Sequence, residues 1–311
     1  MTTLLRTSPA PRRRTYSAIP GQTPGSPPWR VLKSILLLIC VLLVVLPFVA
    51  IISTSFADAA QVNRTGGFVF WPENPTLESY RAILGGGIVS QALLVSIGVT
   101  VVGTALSLAS SITLAYGLSR PEAYGQRPIL LMLLFSMLFV PGVIPSFLLV
   151  QQLGLINTYW ALILPTMVNA FNVIVLRSFF TSLPRELIDA ARIDGASEWR
   201  ILTRIVLPLS KASVAVIGLF YAVGYWNAFF NAMVYINESS MWPLQLVLRT
   251  YVVNNAAIGA GAAAADPGVP LPPSQALQSA ILVLSILPIV ILYPFLQRHM
   301  TRGVMLGAVK G

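Results

Sequence analysis

Six stretches of this chain run for 18 to 30 positions without a charged residue, and nothing else in the sequence restricts the fold as much. They are Ser34–Ile52, Val89–Leu118, Pro128–Leu153, Tyr159–Leu176, Ala212–Tyr235 and Ala276–Leu296. Crossing a bilayer as a helix takes about 20 apolar residues. The 20 basic and 10 acidic residues all lie outside these runs. That exclusion is expected when one charge at the centre of a membrane helix costs about 2.5–3.5 kcal/mol. Charged residues make up 10% of the chain, against about 25% in soluble domains. Backbone groups in hydrocarbon must bond within their own segment. The expected fold is therefore an all-α integral membrane protein with six transmembrane helices.

The charges between the runs give each end a side. The N-terminal arm, the connections after the second and fourth runs, and the C-terminal tail hold 17 basic residues. The two outer loops, 53–88 and 236–275, hold three basic and five acidic residues. Positive residues stay on the cytoplasmic side, so both termini are expected there. The net charge of +10 then reflects membrane topology, and a nucleic-acid partner is not expected. The arm, residues 1–30, is rich in Pro, Ser and Arg, has no hydrophobic period, and is expected to be disordered. Residues 31–297 are expected to form a six-helix transmembrane domain, and 298–311 a cytoplasmic tail. The first run is longer than the usual signal-peptide core of about 7–15 residues. It is read as an uncleaved span, although Ala57-Asp58-Ala59 resembles a cleavage site.

In the first outer loop, Leu77, Tyr80, Ile83 and Leu84 recur at helical spacing, with Thr76 as the expected N-cap. The second outer loop contains AAIGAGAAAADPGVPLPPS and reads as a flexible excursion.

The most polar segment is DAARIDGASEWRILTRIVLP, residues 189–208. Ser182 is placed to cap a helix with Pro184 in its first turn. Leu187, Ala190, Ala191 and Asp194 then follow along one side. Gly195 ends that helix, in the left-handed conformation that suits a C-cap. Ser197 caps the next helix, whose apolar face is expected to be Trp199, Leu202, Ile205 and Val206. Pro208 closes the unit. The result is a helix–glycine–helix elbow over 182–208. On residues alone it is either a passive interfacial connector or a device that passes a push to the spans.

The same segment resembles the cytoplasmic coupling loop of ABC importer permeases. That loop reads Glu-Ala-Ala, three residues, Gly, nine residues, Ile-x-Leu-Pro. Here Asp189-Ala190-Ala191, Gly195 and Ile205-Val206-Leu207-Pro208 keep every interval. FWPENPTLESYRAIL and the ending RGVMLGAVKG resemble the carbohydrate-uptake branch, from about residue 30 onwards. The resemblance implies a type I importer architecture in the bacterial plasma membrane. The permease would carry a sugar, oligosaccharide or complex glycan, or alternatively a peptide or polyamine. Its implied partners are a second permease subunit, two ATP-binding subunits, an extracytoplasmic solute-binding protein and membrane lipid. Glu186, Asp189, Ala190, Ala191, Asp194, Gly195, Ile205, Leu207 and Pro208 are the implied ATPase-coupling residues. Asp189 replaces the family's Glu, one methylene shorter.

No charged residue lies in the runs, which argues against a proton- or sodium-driven carrier and suits a neutral polyhydroxyl cargo. No P-loop is present, so no cofactor is expected on this chain and ATP would be hydrolysed by partners. Asn169, Asn172, Trp226, Asn227 and Asn231 are the candidate pathway residues. Asn227 and Asn231 would share a face, as i,i+4 neighbours on one helix. These amides either bind cargo or bond helices together at about 1 kcal/mol each. Pro141 and Pro145 either shape a gate or simply kink the third run. Cys40 and His299 have no metal-type spacing, and no catalytic or metal site is expected.

Overall fold

The computed structural model describes residues 27–85, 87–253 and 272–307, with side chains up to residue 294. The expectations for the basic arm and the 254–271 excursion fall outside these residues. Among the described residues every regular element is helical. The chain divides into two compact units, residues 1–48 and 49–311.

The elements are α1 (Pro27–Phe56), α2 (Ala59–Thr65), α3 (Glu78–Leu84), α4 (Ile88–Leu118), α5 (Gln126–Leu138), α6 (Val143–Gln152), α7 (Trp160–Ile163), α8 (Ala170–Thr181), α9 (Arg185–Ile193), α10 (Glu198–Ile201), α11 (Leu207–Leu209), α12 (Lys211–Trp226), α13 (Phe229–Tyr235), α14 (Leu244–Val253) and α15 (Ser274–Gly307). A π-helical turn, Leu202–Val206, joins α10 to α11. Three stretches are each long and apolar enough to cross a membrane: Val31–Phe56, Ile88–Leu118 and Ser274–Pro294.

The other three runs are broken, the third where Pro141 and Pro145 foreshadowed it, the fourth and fifth without such a sign. The third splits into α5 and α6 around Phe139–Gly142, where Pro141 supplies no amide hydrogen. The fourth bends by 50° between Trp160–Thr166 and α8. There Asn169 leaves the helical region and caps α8 with its own side chain. The fifth stops at Asn227-Ala228 and resumes as α13.

In the larger unit, α4 is the central post. Ala92, Ser96, Gly103, Ser107, Ser111 and Ala115 lie along one buried side of it, spaced four or seven apart as a helical face requires. Small side chains let α8 and α12 come close. A Cβ added at Gly103 would lie 2.9 Å from the Tyr225 ring. One core gathers Leu162, Val173, Leu176, Ile201, Val206 and Ile217. A second lies among α3, α14 and α15, with Ile83, Trp226, Leu244 and Ile281.

Candidate functional site

The elbow is seated in the bundle by its apolar side. Ile188 of α9 and Ile201, Leu202 and Val206 beyond Gly195 are all buried in the first core. Two details differ from the sequence expectation. Pro184, not Ser182, stands at the N-cap of α9, because Ser182 still belongs to the end of α8 and donates to the Phe179 carbonyl. Trp199 is 66% exposed, and Ile201 is buried beside Leu202 and Val206 instead. Likewise Leu77, not Thr76, precedes α3, with no side-chain cap.

The centre of the elbow forms as expected. Gly195 has φ +74°, and the Ala196 amide donates back to the Ala191 carbonyl at 2.9 Å. This is the left-handed closure that favours glycine. Ser197 Oγ then accepts from the Arg200 amide and caps α10. Of the implied coupling residues, Glu186, Asp189, Ala190, Asp194, Gly195 and Pro208 are exposed, whereas Ala191, Ile205 and Leu207 are half-buried. Asp189 borders a small cleft with Arg120, Arg185 and Arg192.

A polar hub that the sequence did not single out binds the elbow to α4. Tyr116 Oη donates to Glu198 Oε2 at 2.5 Å, and Arg192 Nε donates to Glu198 Oε1 at 2.9 Å. Glu198 thereby clips α9 to α10 across Gly195 and ties both to α4. The Arg120 guanidinium lies 4.3 Å from the centre of the Tyr116 ring, a cation–π contact. Its Nε is 3.9 Å from Glu198 Oε2, in ion-pair range but not hydrogen-bonded. Burial pushes the Glu198 pKa up, but hydrogen bonds from Tyr116 and Arg192 and the charges of Arg192 and Arg120 outweigh it. The carboxyl is held below its ordinary value. The ionised contact is therefore present above the usual carboxylate range and is lost only as pH falls through the lowered value. Next to the hub, Arg177 Nε donates to the Leu118 carbonyl at 2.8 Å.

One side of the bundle holds a half-open hollow of about 240 Å³, lined by polar and apolar atoms but no charges. It brings together Asn169, Asn172 and Asn231, with Thr166, Tyr221 and Tyr225 behind them. Phe220 adds an aromatic wall. The tyrosine hydroxyls are held from the α4 side: Tyr221 pairs with Ser111 at 2.6 Å and Tyr225 with Ser107 at 2.7 Å. Asn169 accepts from the Asn172 amide at 3.1 Å, so part of its role is capping.

The other two candidates lie elsewhere. Trp226 is buried in the second core and donates from Nε1 to the Ser285 carbonyl at 2.8 Å. Asn227 turns back to the Val223 carbonyl at 2.9 Å. The expected i,i+4 pairing of Asn227 with Asn231 fails because the helix breaks between them.

A helical bundle with an uncharged hollow and a surface elbow clipped to its central helix is the architecture of a membrane permease. The chain belongs to the family described as binding-protein-dependent transport system inner membrane component, whose model matches residues 25–306. It is a multi-pass protein of the bacterial plasma membrane. It is similar to the polygalacturonan/rhamnogalacturonan transport system permease protein YtcP of Bacillus subtilis (strain 168), 44% identical over 88% of this chain and 96% of that one. Protein LplC of the same organism is 45% identical over 86% of this chain and 90% of its own. A crystal structure of a bacterial ABC transporter involved in the import of the acidic polysaccharide alginate superposes with a TM-score of 0.81 at 31% identity. That match covers 90% of this chain and 99% of the other.

Proposed function

We propose that this chain forms half of the translocation pathway of an ABC importer for an oligosaccharide or more complex glycan. In this reading it has six spans with both termini in the cytoplasm. The three broken runs each count as one span, and the charge asymmetry supplies the sides. A second permease subunit completes the pathway, and an extracytoplasmic binding protein delivers the cargo. Two ATP-binding subunits hydrolyse ATP, and this chain has no enzymatic activity and holds no cofactor. The relatives named for glycans favour that cargo over a peptide or polyamine. The uncharged amides, hydroxyls and ring of the cavity suit a polyhydroxyl chain, which presents hydrogen-bonding groups and apolar faces in turn.

The observation that carries the coupling role is the Glu198 hub. A docked ATPase would press on the exposed side of α9, through Glu186, Asp189 and Ala190. Arg192, Glu198 and Tyr116 would pass that displacement to α4, whose far side backs the cavity. The test is affinity purification of tagged wild type and Gly195→Val in mild detergent, alongside uptake of labelled oligosaccharides. Wild type is expected to bring an ATPase and a second permease. The variant should lose the ATPase and the uptake while still entering the membrane. Identical partners and identical uptake in both would sink the coupling role, and uptake of peptides but no glycan would sink the cargo.

A further inference from the structure

The connection between α1 and α4 presents an aromatic rim whose height is fixed by the end of α1. Four consecutive residues, Ser53 to Phe56, each hold it. Ser53 Oγ donates to the Phe70 carbonyl at 2.9 Å. Thr54 Oγ1 accepts from the Val69 amide at 2.9 Å. The Ser55 and Tyr80 hydroxyls share a hydrogen bond of 2.8 Å. The Phe56 carbonyl accepts from the Thr76 amide at 2.7 Å. From the other side, Gln61 Nε2 donates to the Trp71 carbonyl at 2.9 Å and its Oε1 accepts from the Glu73 amide at 3.0 Å. The segment is thus clamped along its backbone, with Val69 turned inward and buried. Its remaining large side chains point away: Phe68 is 66%, Phe70 59% and Trp71 82% exposed.

The clamps also set depth. Ser53–Phe56 are the last four residues of the apolar stretch Val31–Phe56, and at 1.5 Å per residue they cover only about 6 Å. With α1 read as a span, what they hold lies near the level at which it leaves the hydrocarbon. Polar pairs mark the watery side of the same loop: Arg64 with Glu73 at 2.6 Å, and Asn74 with Asp58 at 3.2 Å. Exposed rings at the boundary, with charges just beyond, are the arrangement of an interfacial aromatic belt.

We propose that Phe68, Phe70 and Trp71 insert into the phospholipid interface around the end of α1 and form a lipid-anchoring rim. The inference rests on reading α1 as a span, and is independent of cargo and of coupling.

The test uses the assembled transporter in nanodiscs of phosphatidylethanolamine and phosphatidylglycerol. These are doped with phosphatidylcholine brominated either near the headgroup or near the acyl end. Subtracting the Trp71→Phe emission isolates Trp71 from the chain's other five tryptophans. The Trp71 component should be quenched strongly by the shallow bromines, weakly by the deep ones, and little by aqueous iodide. Phe68→Trp in the Trp71→Phe background should report the same order. Quenching by iodide alone would mean the rim faces water, and protection from every quencher would mean a protein covers it; either overturns the proposal. If no tryptophan of this chain is quenched by lipid, the membrane-spanning reading itself fails, which separates the two failures.

Discussion

The seam between α4 and α12 and the hub beneath the elbow both join α4 to another element through side-chain oxygens, yet they are built on opposite terms. In the seam, neutral hydroxyls meet neutral hydroxyls at 2.6 and 2.7 Å, all four residues buried. Their further partners are neutral as well, the Asn169 amide at 3.0 Å from Tyr221 Oη and the Ile163 carbonyl at 3.3 Å from Tyr225 Oη, as suits a medium without water. In the hub, one carboxylate faces two guanidiniums and a phenol, and Arg192 also lies 3.5 Å from Glu122. Side chains there are partly wet, and partners can exchange at little cost. The difference teaches where rigidity and adaptability are placed. The seam fixes the wall of the hollow, while the hub is made of contacts that can exchange.

Substitutions can break that contrast. The largest effect is expected at Gly195, where the space around an added Cβ is empty and only the left-handed backbone objects. Gly195→Val should abolish uptake, Gly195→Ala should cost the local turn about 1–2 kcal/mol, and Gly195→Asn should retain most activity. Uptake assays at matched expression rank the three, and equal loss in all would place the defect in side-chain contact instead.

Next, Gly103→Val should wedge the seam against the Tyr225 ring. Overpacking of that kind costs about 1–3 kcal/mol, read as a lower unfolding temperature of the purified complex.

Glu198→Gln should leave assembly and melting nearly unchanged while lowering uptake per ATP hydrolysed several-fold, because the clip across Gly195 loses its charge. Wild type should keep its coupling near neutral pH, since Glu198 stays ionised well below that range. A coupling ratio in Glu198→Gln equal to wild type would confine the hub to passive packing.

Smallest of all, Ser111→Ala with Tyr221→Phe should show a double-mutant coupling of about 0.6 kcal/mol, the average for hydrogen bonds within membrane proteins. A much larger value would mean that the seam also holds the Asn169 backbone, whose amide donates to Tyr221 Oη at 3.0 Å.

Hydropathy and local chemistry made much of this legible. The apolar runs, the left-handed Gly195 and the Ser197 cap all depend on a residue and its near neighbours. What escaped depends on partners far along the chain. Glu198 looks like an ordinary first-turn acid, and its link to Tyr116 spans 82 residues. Its one local sign was Arg192, six residues before it across a glycine. The helix breaks were equally hard to see. Asn169 is as polar when it caps α8 as when it faces a cargo, and an apolar average does not register a two-residue interruption such as Asn227-Ala228. Trp226 shows the same limit, because neighbours in sequence part company once the helix ends between them.

Between the elbow and α12 the chain turns sharply at Ser210. The segment Glu198–Leu209 meets α12 at 88°, so the elbow and the span form a bell crank. A thrust along the elbow's axis arrives at the foot of α12 as a sideways pull, with almost no component along the span. Sliding α12 like a piston would drag Lys211 toward hydrocarbon, at a cost of kilocalories. Leaning it over costs fractions of a kcal/mol per ångström of mismatch. Under the proposed coupling, the right angle would therefore turn a stroke the bilayer resists into one it permits, with α4 carried along through its bonds to Tyr221 and Tyr225.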